Sequence, residues 1–250
     1  MAHALGIDIG GTGIKGAIVD TSTGELVTER FKLMTPKGGE PKPMIETAVE
    51  LVQQIPGTDE PIPVGIAFPT IVKHGLTLSA GNISKKWIGL NGRELFTEAL
   101  GRPIDLVNDA DAAGYAELHF GAAKGVPGVV ILTTLGTGIG SAFIHNGVLM
   151  PNSELGFLEL DGEIAEARAS YRAKEEHDLD WKQWAKRLQR FYTHLERVFS
   201  PDLFIVGGGV SKNADDFLPL LELRTPIITA THRNNSGILG AAAIAAATLP

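Results

Sequence analysis

Apolar and polar positions alternate from the first residues onward: Leu5, Ile7 and Ile9 are separated by Gly6, Asp8 and Gly10, and beyond a glycine-rich turn Ile14 to Val19 forms a second apolar run. Period-two alternation of this kind predicts strands. A turn at Thr21-Ser22-Thr23-Gly24 leads to Leu26, Thr28, Arg30 and Lys32, a third segment of β character, so the chain is expected to open as an antiparallel meander. The period then lengthens. Ile45, Ala48, Val49 and Val52 share one side of a helix over 43–55, with proline near its start and Gly57 beyond its end. Val64 to Phe68 reads as a buried strand closed by Pro69, Gly89 to Leu100 as a short helix, and Pro103 to Val107 as a strand that delivers Asn108-Asp109 to the start of a helix over 110–119.

The second half repeats the order strand, glycine loop, strand, turn. Gly128 to Thr134 is strongly β, Ala142 to Ile144 follows the loop, and Asn146-Gly147 makes the turn. Residues 163–199 have helical spacing, with Trp181, Trp184, Leu188, Phe191, Leu195 and Val198 on one face. That aromatic face is expected in a core or a subunit contact, which makes a homodimer plausible. A buried strand over Leu203 to Val206, a turn at Gly207-Gly208-Gly209, a helix over 214–221 and an alanine-rich helix from Gly240 to Leu249 complete the pattern.

With 250 residues, 44% of them hydrophobic, the chain has material for two lobes, and disorder is excluded. The net charge of −7 argues against a duplex-binding surface. With no cysteine there is no thiolate zinc site, disulfide or thiol nucleophile. The start of the chain has neither a basic n-region nor a long apolar segment, and about 18 unbroken apolar residues occur nowhere, so a cytoplasmic protein without a membrane partner is expected.

Thirty glycines direct attention to the loops. The stretch from Gly10 to Gly16 contains a G-x-G-x-x-G match, but the dinucleotide fingerprint needs a helix directly afterwards, and here a hairpin follows. What remains is a tight turn in which the amides of Gly10, Gly11, Thr12 and Gly13, with the Lys15 ammonium, can meet phosphate oxygens. Thr134, Gly136, Thr137 and Gly138 repeat that chemistry in the second half. Either loop alone reads equally well as an ordinary hairpin; the pair, with an acid at a strand end, points to a phosphate chain. Asp8 is placed to hold Mg2+. Asp109 suits proton transfer from a hydroxyl, although a helix N-cap is the commoner reason for aspartate there. Asp111 reads as a first-turn residue complementing the helix dipole. His177 and His194 are expected to be solvated.

Asp8-Ile9-Gly10-Gly11-Thr12, Asn108-Asp109, Leu135-Gly136-Thr137-Gly138 and Val206-Gly207-Gly208-Gly209-Val210 resemble the phosphate and nucleotide motifs of the actin-like sugar kinase superfamily. Leu132 to Gly156 resembles the signature of its ROK group of kinases and repressors. The run Asn108 to Gly114 and the stretch Ser200 to Lys212 are similar to the polyphosphate-using glucokinases of that group. The resemblance implies an α/β, two-lobed, actin-like (ribonuclease H-like) fold with a central cleft, one lobe over 1–106 completed by a helix over 238–250 and the other over 107–237. It implies phosphoryl transfer from polyphosphate or ATP to the 6-hydroxyl of glucose or a related hexose, with Mg2+ and without zinc. Asp109 becomes the general base. Asn82, Asn108, Gly138, Glu154 and Glu166 become acceptor-site residues, and Gly208, Gly209 and Lys212 extend the phosphate set. The family's histidine after Glu154-Leu155-Gly156 is here Phe157, which offers no hydrogen bond. That substitution implies weak glucose affinity, a different acceptor, or a sugar-binding relative with reduced catalysis. A repressor would need a helix-turn-helix ahead of the first loop, and only seven residues precede Asp8.

Overall fold

The computed structural model describes residues 3–249. The chain divides into two compact units, one running through Ala116 and resuming at Asn235, the other spanning Glu117–Asn234. The expected boundary at 106/107 therefore moves ten residues along, into a helix. Met1, Ala2 and Pro250, at the ends of the expected ranges, lie outside the described residues.

In the first unit, β1 (His3–Ile9) pairs antiparallel with β2 (Gly13–Asp20), whose outer edge takes β3 (Glu25–Leu26) and β4 (Phe31–Met34). The expected meander is thus present, its third segment split in two. Helix α1 (Pro41–Gln54) is followed by β5 (Val64–Phe68), the small hairpin β6 (Val72–Lys73) and β7 (Leu76–Thr77), α2 (Gly92–Leu100), β8 (Ile104–Asn108) and α3 (Asp109–Phe120). Strands β1, β5 and β8 run parallel. All of their carboxyl ends consequently lie on one edge, where open α/β sheets bind ligands.

The second unit contains β9 (Val129–Leu135), β10 (Ile139–His145), β11 (Val148–Met150), β12 (Glu159–Leu160), β13 (Glu163–Ile164), α4 (Ala165–Ala169), α5 (Tyr171–Glu176), α6 (Trp181–Phe199), β14 (Leu203–Gly207), α7 (Ala214–Phe217) and β15 (Ile227–Thr229). Its five-stranded sheet has the order β11-β10-β9-β14-β15, with β10 antiparallel to β9, and β9, β14 and β15 parallel. The first unit's β2-β1-β5-β8 has the same directions, so the repeated order in the sequence reflects a repeated topology. Asn146 and Gly147 both have positive φ (49° and 78°), as a two-residue hairpin turn requires.

Two helical expectations are corrected. The stretch 163–199 is not continuous: Ser170 caps α5 by accepting from Ala173 N, and Asp180 opens α6 with a capping box to Gln183. The helix expected over 214–221 ends at Phe217 and continues as a 3-10 turn over Leu218–Leu220, because Pro219 lacks the donor for an α-turn. The aromatic face of α6 belongs to its own unit. Trp184 is fully buried and its ring lies 4.8 Å from Phe217, while Trp181 stacks on Phe217 at 6.0 Å. Most of that face is consumed by the core, with Leu188, Phe191 and Leu195 buried beside Trp184, while Val198, expected on the same face, is 53% exposed.

The last helix, α8 (Ser236–Thr248), returns to the first unit and packs on β1 and β5 almost backbone to backbone. Cβ atoms added at Gly6, Gly65 or Gly240 would overlap the carbonyl oxygens of Ile238, Ala241 and Ala112 respectively. This explains both the alanine content of α8 and the glycines within two buried strands. Gly65→Ala is expected to destabilise the protein by about 1–3 kcal/mol, measured as a fall in Tm. An unchanged Tm would show that the helix shifts without cost.

Candidate functional site

On the first unit's carboxyl edge, Gly10 N donates to Gly13 O at 3.0 Å and closes the turn between β1 and β2. Thr35 Oγ1 donates to Gly10 O at 2.5 Å and fixes the turn from outside. The antiparallel register sets Asp8 opposite Lys15, and Lys15 Nζ lies 3.2 Å from Asp8 Oδ2. Lys15 in turn pairs with Lys32 across β2 and β4. A Cβ at Gly13 would lie 2.7 Å from Lys32 Cε, so Lys32 crosses the loop as well. In the sequence Lys32 is marked only as a strand residue, since its place at the loop depends on the β2/β4 register.

Asn82 reaches the same loop from a distant segment: a Cβ at Gly11 would lie 3.7 Å from Asn82 Cβ. Its segment is anchored by buried Trp87, whose Nε1 donates to Gly39 O at 3.0 Å. At the end of β8, Asn108 acts as the helix cap, Oδ1 accepting from Ala110 N (2.9 Å) and Asp111 N (3.0 Å) while Nδ2 donates to Thr70 O (3.0 Å). Capping of α3 therefore falls to Asn108, and Asp109, half-buried, stands as the first residue of the helix. The commoner explanation for an aspartate at this place does not hold here. Asp111 is in the first turn as expected, but only 3% exposed.

In the second unit, the turn from β9 to β10 is closed by Gly136 N donating to Gly138 O at 3.0 Å. Gly207 pairs with Thr134, and Gly208, at φ 82°, lies against Leu135, where a side chain would overlap the Leu135 backbone. The 135–138 and 207–209 glycine loops thereby form one surface. It opens into a cavity of about 440 Å³ lined by Gly136, Thr137, Gly209, Lys212, Tyr171 and Arg172, among others. Tyr171 and Arg172 were not legible as site residues; Arg172 N donates to Gly136 O at 3.1 Å, a contact made possible by the break at Ser170.

Glu166 reaches back to the same loop, accepting from Ile139 N at 3.1 Å, and a Cβ at Gly138 would lie 2.5 Å from Glu166 Oε2. Glu154 is placed by Ser141, whose Oγ donates to Ser153 O and accepts from Leu155 N. Burial, and secondly the negative charge of Glu166, push the Glu154 carboxyl above its ordinary value. The two carboxylates, twelve positions apart, thus share one neighbourhood. Phe157 ends the 3-10 turn Leu155–Phe157 and is 52% exposed.

Among the described residues no group of three or more His, Cys, Asp and Glu side chains forms a metal centre. Asp8, with Lys15 Nζ 3.2 Å away, stands beside the backbone amides of the glycine turn; one carboxylate is a donor set that fits Mg2+, which keeps several waters and completes its shell from substrate phosphates. No helix of the described residues is long and apolar enough to cross a membrane.

Residues 4–156 match the ROK family, more than half of the chain. The chain belongs to the ROK family. It is 48% identical over 241 residues to a polyphosphate glucokinase of Mycobacterium tuberculosis, covering 96% of this chain and 90% of that one. A polyphosphate glucokinase of Mycobacterium leprae is 44% identical over the same share of this chain and 74% of its own. Among solved structures, an inorganic polyphosphate/ATP-glucomannokinase from Arthrobacter sp. strain KM matches with a TM-score of 0.95 and 50% identity over 99% of both chains. A ROK family glucokinase from Streptomyces griseus in complex with glucose and AMPPNP matches at 0.82 with 23% identity, over 97% of this chain and 99% of that one, a likeness of fold. The fold is the two-lobed, actin-like α/β fold of ROK sugar kinases.

Proposed function

We propose that this ROK protein transfers the terminal phosphoryl group of polyphosphate or ATP to the 6-hydroxyl of glucose or a related hexose. The observation that carries the reading furthest is the repeated construction. Each unit presents a tight glycine turn at the carboxyl edge of its sheet, and these turns coincide with the motifs shared with phosphotransferases. Phosphoryl transfer asks chiefly for positioning and charge stabilisation. The amides of Gly10–Gly13 and Gly136–Gly138, with Thr12, Thr134, Thr137, Gly208, Gly209, Lys15 and Lys212, supply donors for phosphate oxygens. Asp8 would hold Mg2+, which supplies charge neutralisation on the phosphates.

Asn82, Asn108, Glu154 and Glu166 orient the sugar. Asp109 takes the proton from the 6-hydroxyl as that oxygen bonds to the terminal phosphorus. The bond to the bridging oxygen breaks, leaving ADP or a polyphosphate one unit shorter. A cytoplasmic location belongs to the same reading, and a homodimer would use a surface other than the aromatic face of α6. Phe157 favours a second reading, an acceptor that is less polar at this point or a sugar-binding relative with weakened catalysis.

The raised Glu154 carboxyl gives a pH test. Its ionised form accepts sugar hydroxyls, and it gains its proton at a higher pH than an ordinary glutamate. Glucose KM should therefore rise on acidification while ordinary carboxylates are still ionised. Glu154→Gln should lack that inflection; an identical profile in the variant would remove Glu154 from the acceptor site. The reaction itself is tested by identifying the phosphate ester formed from glucose by phosphorus NMR, the 6-ester being expected and any other product, or none, overturning the assignment.

A further inference from the structure

The second unit holds another cavity that none of these roles uses. It lies between α4 and α6, measures about 170 Å³, and four of its nine lining residues are cationic: Arg168, Lys186, Arg187 and Arg190. On a chain with a net charge of −7 this is a marked local concentration of positive charge. Asp161 is the one carboxylate in the lining, and Arg190 grips it through Nε at 3.0 Å and Nη2 at 2.8 Å. Arg168 meets Glu163 at 3.2 Å. The remaining two cations keep their charge uncompensated. Arg187 donates to Arg168 O at 3.0 Å and meets His177 Nδ1 at 2.9 Å, partners that orient the guanidinium without cancelling it. Lys186 is exposed and enters no ion pair among the described residues. The apolar floor, Phe191 with Leu160 and two alanines, suits the aliphatic stems of these side chains.

The cavity shares no lining residue with the 440 Å³ cavity at the glycine loops, the donor pocket of the proposed reaction, but the two are neighbours along the chain. Arg168 belongs to it and Arg172 to the donor pocket, four residues along the chain. Even a fully extended segment of that length spans at most about 14 Å. A ligand filling both must be long and anionic along its whole length. ATP does not meet that condition, because its charge ends at the triphosphate. Polyphosphate does.

We propose that the α4/α6 cavity is a distal subsite for polyphosphate, holding phosphates remote from the reacting end. The proposal rests on the reading of polyphosphate as a donor. Calorimetric binding of long-chain polyphosphate and of tripolyphosphate, without glucose and at two salt concentrations, is compared between wild type and Lys186→Gln/Arg187→Gln. Lys182→Gln, an exposed cation on the same helix outside the cavity, controls for the loss of a surface cation from this helix. At ~0.15 M salt the loss of two cation contacts should weaken long-chain binding about tenfold and flatten its salt dependence. KM for long-chain polyphosphate should rise in parallel. Tripolyphosphate binding, KM for ATP and glucose, kcat with ATP, and Tm should stay as in wild type, and Lys182→Gln should have no effect.

Equal long-chain affinity in the double variant overturns the subsite, as does equal weakening for tripolyphosphate and ATP. If wild type uses ATP but neither binds nor turns over polyphosphate, the donor reading fails and the subsite with it. Wild-type polyphosphate turnover with unaltered variant affinity removes the subsite alone.

Discussion

Asp109→Asn is expected to lower kcat by about 10²–10⁴-fold, the usual contribution of a positioned general base, with little change in glucose KM. The separation of roles at the end of β8 makes this a clean substitution. Asn108 accepts from both Ala110 N and Asp111 N and so carries the cap of α3. Asp109 Oδ1 also accepts from Ala110 N at 2.9 Å, a bond that an asparagine oxygen retains in a side chain of nearly equal volume. The variant should therefore fold with a Tm close to that of wild type, and its lost turnover should reflect chemistry. Steady-state kinetics decide it: a decrease smaller than tenfold would mean that another group takes the proton.

Phe157→His should act in the opposite direction and strengthen glucose use. The residue sits on a short turn whose neighbours are closely held: Gly156 lies against Ile139, where a Cβ would overlap the carbonyl, and Ser141 binds the backbone on both sides of Glu154. The backbone that bears residue 157 should thus stay in place. An imidazole there supplies a hydrogen-bonding group that phenyl lacks, and an unpaired hydroxyl costs about 1–3 kcal/mol. The variant should accordingly gain about fivefold to 160-fold in kcat/KM for glucose. No gain would show that the sugar hydroxyls do not meet this residue, and a gain restricted to other hexoses would redirect the acceptor assignment.

How far the sequence was legible depends on the range of the forces involved. Local chemistry was readable: the alternation of β1, the apolar run of β2 and the buried run of β5 closed by Pro69 all mark strands, and the hairpin after Gly10–Gly13 separated this loop from a dinucleotide fingerprint. Breaks decided by a single cap or proline were harder to read. Ser170 and Asp180 interrupt a stretch whose apolar spacing is helical throughout, and Pro219 shortens α7.

Long-range register was not readable at all. Nothing near Lys32 announces that it crosses Gly13, and Arg172 meets Gly136 only because β9 and α5 are neighbours in the fold. Gly6 and Gly65 did carry a signal, since glycine in a buried strand indicates a close backbone, but the partner, α8, lies more than 170 residues away. The aromatic face of α6 was visible, yet its destination required knowing that Phe217 packs against it.

The most direct measurement is glucose 6-phosphate formation by the purified protein with Mg2+ and saturating glucose, polyphosphate and ATP being offered in separate reactions. Product is expected with at least one donor and should be nearly abolished in Asp109→Asn. No product with either donor, or product undiminished in the variant, would contradict phosphoryl transfer to glucose through Asp109.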